Sequence, residues 1–169
     1  MKILVIPADG IGPEIVSAAE TVLTAANEKF SLGLKLEHDI AGFESLEKFG
    51  ITIRPELLEK AKDFDGVILG TQSHADYPAP EEGGVNISAS FRVGLDLYAN
   101  VRPARTRQGL GLGKDGLDLV IMREATEGFY PDRNCFKGWG EVMLSPDMAI
   151  STRKITRHCC DRISRRAFE

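Results

Sequence analysis

The chain is poor in cysteine and tryptophan and carries no excess of positive charge. Cys135, Cys159 and Cys160 are its three cysteines, and their spacing matches neither a metal-ligand pattern nor a disulfide framework. Such thiols are expected to be reduced and the protein cytoplasmic, with Cys159 and Cys160 packed as small apolar residues on a helix. Lysine and arginine total 21 against 25 acidic residues, a net charge of −4, so there is no basic footprint for nucleic acid. No apolar run approaches the roughly 20 residues that cross a bilayer. The opening run breaks at Pro7 and Asp9, too early for the apolar region of a secretory signal. His38, His74 and His158 have no spacing that suggests a nucleophile or a metal site. What remains is an ordinary globular composition, 43% hydrophobic and 27% charged over 169 residues, enough for one domain of common size.

Periodicity predicts alternating elements. Residues 2–6 read as a strand buried on both faces, and Gly10 and Gly12 supply a turn into a helix opened by Pro13. Ile15, Ala18, Val22, Leu23 and Ala26 carry that helix to about Lys29. Residues 34–40 alternate like a strand, residues 42–49 form a short helix, and Pro55 opens another with Leu57, Leu58 and Ala61 inward. Residues 65–70 are a second buried strand. This order predicts a mostly parallel sheet flanked by helices. Residues 71–90, rich in Gly, Pro, Ser and acids, read as a long functional loop. Strands follow at 98–105 and 117–123, and residues 141–150 have extended character. A final helix is expected from a Ser151 or Thr152 cap, with Ile155, Cys159, Ile163 and Ala167 on one face.

Two glycine-rich stretches invite a phosphate-binding reading and fail it. Gly10 and Gly12 lack the third glycine of the dinucleotide fingerprint. Residues 109–116 resemble a P-loop, but Asp115 stands where a hydroxyl would bind magnesium, so a surface hairpin is expected there.

The chemistry lies in the arginines. Arg92, Arg102 and Arg123 flank or end apolar segments and are candidates to bind one anionic ligand, since a guanidinium is always charged and presents a planar fork of donors. Tyr130, seven residues beyond Arg123, would add a proton donor. A small di- or tricarboxylate suits such a set.

The stretches Tyr-Ala-Asn-Val-Arg-Pro at 98–103 and Arg-Glu-Ala-Thr-Glu-Gly-Phe-Tyr at 123–130, with Ala-Asp-Gly-Ile-Gly-Pro-Glu-Ile at 8–15, resemble the β-decarboxylating dehydrogenases. These act on isocitrate, 3-isopropylmalate, homoisocitrate, tartrate and D-malate. Ala8 and Ala125 depart from the commoner Gly and Asn. The resemblance implies an isopropylmalate-dehydrogenase-like, non-Rossmann α/β fold. Residues 1–97 would be part of a first α/β domain, and residues 98–169 the beginning of a second, dimerising one, neither complete.

The resemblance further implies an oxidoreductase that oxidises a 2-hydroxy acid with NAD or NADP and releases its 3-carboxylate as CO₂, with Mg²⁺ or Mn²⁺ as Lewis acid. Arg92, Arg102 and Arg123 would hold the substrate carboxylates and Tyr130 would protonate the enol product. Thr71 and Gln72 would approach the nicotinamide. The catalytic lysine and the metal-binding aspartates would lie outside these residues, so the chain alone is expected to be inactive and truncated, its last helix having no stop signal. A homodimer is the expected full-length assembly, with Trp139 and Phe136 in a dimer arm or core.

Specificity in the family is set just before Arg92. Isopropylmalate enzymes carry a leucine pair at the positions of Ser88 and Ala89. Isocitrate enzymes carry a Ser and an Asn at the positions of Asn86 and Ser88, and here the two types are exchanged. A small or polar C3 substituent is therefore expected, closer to malate, tartrate or isocitrate than to isopropylmalate. The alternative is a non-catalytic, carboxylate-binding or regulatory subunit that pairs with a full-length family member.

Overall fold

A computed structural model of the chain describes residues 1–107, 109 and 116–169. These fall into two compact units, Met1–Leu95 and Asp96–Glu169. Among the described residues no helix is long and apolar enough to cross a membrane.

The first unit is a parallel three-stranded sheet with its helices. In chain order it contains β1 (Lys2–Ile6), α1 (Gly12–Phe30), β2 (Lys35–His38), α2 (Phe43–Phe49), α3 (Pro55–Ala61), β3 (Gly66–Leu69) and α4 (Ile87–Gly94). The strand order is β2-β1-β3. β1 is central, which explains its continuous apolar run: Leu4, Val5 and Ile6 are wholly buried. Leu4 and Ile6 pack with Leu57 of α3 and with Ile87 and Phe91 of α4 in one core cluster. The turn from β1 into α1 needs glycine, because a Cβ on Gly12 would lie 2.1 Å from the Pro7 carbonyl oxygen.

The strands and first three helices of this unit follow the sequence pattern closely. The loop expected over 71–90 does not. It contains short 3₁₀ turns at His74–Asp76 and Pro80–Glu82, and α4 starts inside it. The Asn86 side chain accepts the Ala89 N–H and caps α4. Only Ile87 and Phe91 of this helix are buried. The small polar residues between them hid the helical period.

The second unit contains two hairpins and a helix. β4 (Ala99–Arg105) pairs antiparallel with β5 (Asp118–Glu124), and β6 (Glu141–Ser145) with β7 (Met148–Ser151), before α5 (Arg157–Phe168). α5 begins later than a Ser151 or Thr152 cap would have it. Ser151 ends β7, the Thr152 N–H donates to the Gly140 carbonyl, and Lys154 forms a bridge with Gly128. These long-range pairings hold the chain extended until Thr156, whose hydroxyl accepts the Cys159 N–H. Ile155 is therefore outside the helix and 59% exposed. The surface hairpin expected over 109–116 lies outside the described residues except at its ends, Gly109 and Gly116.

Candidate functional site

The β4–β5 register decides which side chains meet in the second unit. Arg102 lies opposite Ile121, and Asn100 opposite Arg123. Facing residues share a side of the hairpin and side chains alternate along a strand, so Asn100, Arg102, Ile121 and Arg123 share one face. Arg102 Nε donates to Asn100 Oδ1 at 3.1 Å. Arg123 Nη2 donates to Tyr130 Oη at 2.7 Å. The phenolic oxygen is thus an acceptor toward Arg123, which leaves its own proton to be given elsewhere.

A cleft of about 570 Å³ lies beside β5, lined among others by Arg102, Arg123, Tyr130, Glu127, Arg153 and Lys154. Its acids are already committed. Glu127, 6% exposed, accepts the Thr156 N–H at 2.8 Å and the Thr156 hydroxyl at 3.0 Å. Burial pushes the Glu127 carboxyl up, but the two Thr156 bonds, the Cys159 thiol and the Lys154 charge together hold it below the ordinary carboxylate value. Glu124, which also lines the cleft, accepts the Thr126 N–H and hydroxyl and faces Arg162 Nε at 3.5 Å. The lining therefore presents the basic groups of Arg102, Arg123, Arg153 and Lys154 against two acids that have internal partners. That balance suits an anion with more than one carboxylate.

Arg153 and Lys154 were not singled out from sequence. Their signal was a basic pair in the first turn of the helix expected from a Ser151 or Thr152 cap, which is usually a solvated face. What brings them to the cleft is the Gly128–Lys154 bridge, a non-local pairing that periodicity cannot reveal. Arg153 lies 5.0 Å from the Phe129 ring centroid.

The first unit gathers a second group. Gln72 Oε1 accepts the Ser88 N–H at 3.0 Å, joining the residues expected near the cofactor to those expected near the substrate. Thr71 Oγ1 donates to the Asp9 carbonyl at 3.0 Å. Asn86 spends its side-chain oxygen on the α4 cap. Arg92 stands four residues past Ser88 and hence on the same helix face. It is half-buried.

Asp9, which in the sequence only marks the break of the opening apolar run, organises this group. It is 7% exposed, and its carboxylate accepts the Phe43 N–H, the Ser73 N–H and the Tyr77 hydroxyl. Burial, the bond to Asp9 and its charge push the Tyr77 phenol above the ordinary tyrosine range. Tyr77 is thus a structural donor and not a second acid.

Among the described residues no group of three His, Cys, Asp or Glu side chains is clustered to hold a metal ion. The donor sets of these residues do not build a metal site.

A family model described as isocitrate/isopropylmalate dehydrogenase matches residues 2–169. The 3-isopropylmalate dehydrogenase of Archaeoglobus fulgidus is 37% identical over 168 residues, 99% of this chain and 45% of that protein. That of Pseudomonas putida is 39% identical over 142 residues, 76% of this chain and 38% of that protein. Among solved structures, isocitrate dehydrogenase from Methylococcus capsulatus has a TM-score of 0.74 at 32% identity, covering 99% of this chain and 46% of that one. A β-decarboxylating dehydrogenase from Thermococcus kodakarensis has a TM-score of 0.66 at 28% identity, covering 97% of this chain and 43% of that one. The chain spans less than half the length of these relatives.

Proposed function

The chain belongs to the isocitrate/isopropylmalate dehydrogenase family, and we propose that it supplies substrate-binding and proton-donating residues of an enzyme that oxidatively decarboxylates a 2-hydroxy di- or tricarboxylic acid. The observation that carries this reading is the Arg123–Tyr130 contact in a basic cleft. The Tyr130 oxygen accepts from Arg123, and its hydroxyl hydrogen stays available to a ligand in the cleft.

The proposed reaction oxidises the substrate at C2, where NAD or NADP, when bound, would take the hydride and a base other than the residues named here would take the hydroxyl proton. The C3–carboxylate bond then breaks, CO₂ departs, and the bonding electron pair is left as an enolate over C3, C2 and the C2 oxygen. Mg²⁺ or Mn²⁺ would supply Lewis-acid chemistry in such a reaction, on ligands that the donor sets described above do not provide. Arg102 and Arg123 bind the substrate carboxylates and orient the one that leaves, and Arg92 is proposed separately as a carboxylate contact. Tyr130 gives its phenolic proton to C3, and the phenolate is reprotonated from water. Thr71 and Gln72 are proposed nicotinamide contacts, with the Gln72 amide nitrogen available because the oxygen is engaged by Ser88. Residues 1–97 and 98–169 would be portions of two domains. The exposed apolar side chains of the β6–β7 hairpin and of Phe136 and Trp139 suit burial in a homodimer.

For the substrate we propose a small or polar C3 substituent, supported by Ser88 and Ala89 at the first turn of α4. The names of the curated relatives pull toward 3-isopropylmalate. A panel of malate, tartrate, isocitrate and 3-isopropylmalate, given to the full-length protein with Mn²⁺ and each cofactor, separates the two. A preference for isopropylmalate ends the narrower proposal and leaves the reaction class standing. The class itself is tested by Tyr130→Phe, expected to lower kcat by about 10²–10⁴-fold with KM little changed; an unchanged kcat removes Tyr130 from the mechanism.

A further inference from the structure

Tyr130 touches a second guanidinium. Arg133 Cζ lies 4.5 Å from the Tyr130 ring centroid, within cation–π range, while Arg123 contacts the hydroxyl end of the same side chain. Arg133 is nearly buried, its side chain 9% exposed, and its fork is fixed on both sides. Nε and Nη2 donate to the two oxygens of Asp132 at 3.0 and 2.7 Å, and Nη1 donates to the Ala125 carbonyl at 3.1 Å. The Arg133 N–H donates to the Tyr130 carbonyl at 3.1 Å, closing a 3₁₀ turn over Pro131–Arg133. Ala125, at the other end of the clamp, is buried and donates its own N–H to the Tyr98 carbonyl.

We propose that Arg133 is a positioning residue for Tyr130: clamped by Asp132 and the Ala125 carbonyl, it forms a rigid floor under the phenol ring and holds the hydroxyl at the mouth of the arginine cleft. This inference rests on the reading of Tyr130 as the proton donor. The geometry favours positioning over charge supply, because the Asp132 carboxylate neutralises Arg133 at hydrogen-bond distance. It also explains why a charge is buried at this point. A planar guanidinium can lie flat against a ring while its edge is fully hydrogen-bonded, and neither lysine nor an aliphatic chain can do both.

The test is a double-mutant cycle in the full-length enzyme, with kcat and KM measured for wild type, Arg133→Met, Tyr130→Phe and the double variant. Arg133→Met is expected to lower kcat about ten-fold, with KM changed less than about two-fold. In the Tyr130→Phe background the same substitution is expected to cost less than about two-fold, since the proton it positions is gone. An equal loss in both backgrounds overturns the proposal and assigns Arg133 to general stability. A Tyr130→Phe enzyme with wild-type kcat overturns the reading of Tyr130, and the proposal with it. If Arg133→Met does not fold, Asp132→Asn replaces it in the cycle. That variant keeps an acceptor but weakens the clamp, and its smaller loss is expected to disappear in the same way without the Tyr130 hydroxyl. A loss that persists is again contradictory.

Discussion

Gln72 Oε1 accepts the Ser88 N–H at 3.0 Å, so a residue of the loop after β3 satisfies a first-turn donor of α4. The first turn of a helix leaves its N–H groups without intrahelical partners, and here Gln72 and Asn86 serve adjacent ones. Gln72→Ala is expected to destabilise the protein by about 1 kcal/mol, whereas Gln72→Glu, which keeps the acceptor and places negative charge at a helix N-terminus, recovers most of it. Denaturant unfolding of the three proteins checks this. Equal losses for Ala and Glu would show that the bond contributes nothing.

Ala8 adopts a φ of 55°, in the left-handed region that a Cβ disfavours. Ala8→Gly relieves about 1 kcal/mol or more of strain and forfeits about 0.4–1 kcal/mol through the freer unfolded chain. The expected outcome is a small net gain, seen as a raised unfolding midpoint. A clear loss would mean that the Ala8 methyl group contributes packing that outweighs the strain.

Asp39 accepts from Arg54 at 2.6 Å and from Lys60 at 2.9 Å. Burial pushes its carboxyl up, but the bond from Lys60, the Ile40 N–H and the charges of Lys60 and Arg54 outweigh this, and the net direction is below the ordinary 3.8. A carboxylate depressed on folding stabilises the native state above its unfolded value and loses that contribution as pH falls through its folded value. The stability gap between wild type and Asp39→Asn is therefore expected to be full near about pH 6 and to close below about pH 4. A gap independent of pH would contradict the ion pairs.

Thr156 serves both α5 and the cleft. Its hydroxyl accepts the Cys159 N–H at 3.2 Å and donates to Glu127 at 3.0 Å. Thr156→Ala is expected to cost about 1–2 kcal/mol by removing the cap and one partner of a buried carboxylate. Thr156→Ser should cost a fraction of that. Thermal unfolding of the pair distinguishes the hydroxyl from the methyl group.

The elements that sequence revealed are those whose environment is local or uniform. β1 is apolar throughout because it is the central strand, and α1, α2 and α3 carry their own turns and prolines. α4 was hidden because it buries only Ile87 and Phe91 along its length. The start of α5 was misplaced because the Gly128–Lys154 bridge and the Thr152–Gly140 bond override a local capping signal. At the site, Arg102, Arg123 and Tyr130 were legible as residue types in two apolar segments, and the strand register then brings the two arginines to one face. Arg133, Arg153, Asp9 and Gln72's role at α4 were not legible, since each acts through a contact that only the folded chain creates. Asn86 was read as a substrate contact, and its side-chain oxygen is engaged as a helix cap.

The most direct test is the stoichiometry of the reaction proposed for the protein that carries this chain. Purified enzyme is given a 2-hydroxy di- or tricarboxylate from the panel with Mn²⁺ and NAD or NADP, and reduced nicotinamide and CO₂ are measured together. One CO₂ released for each nicotinamide reduced is the predicted result. Nicotinamide reduction without CO₂, or neither product with any acid of the panel, would contradict the account.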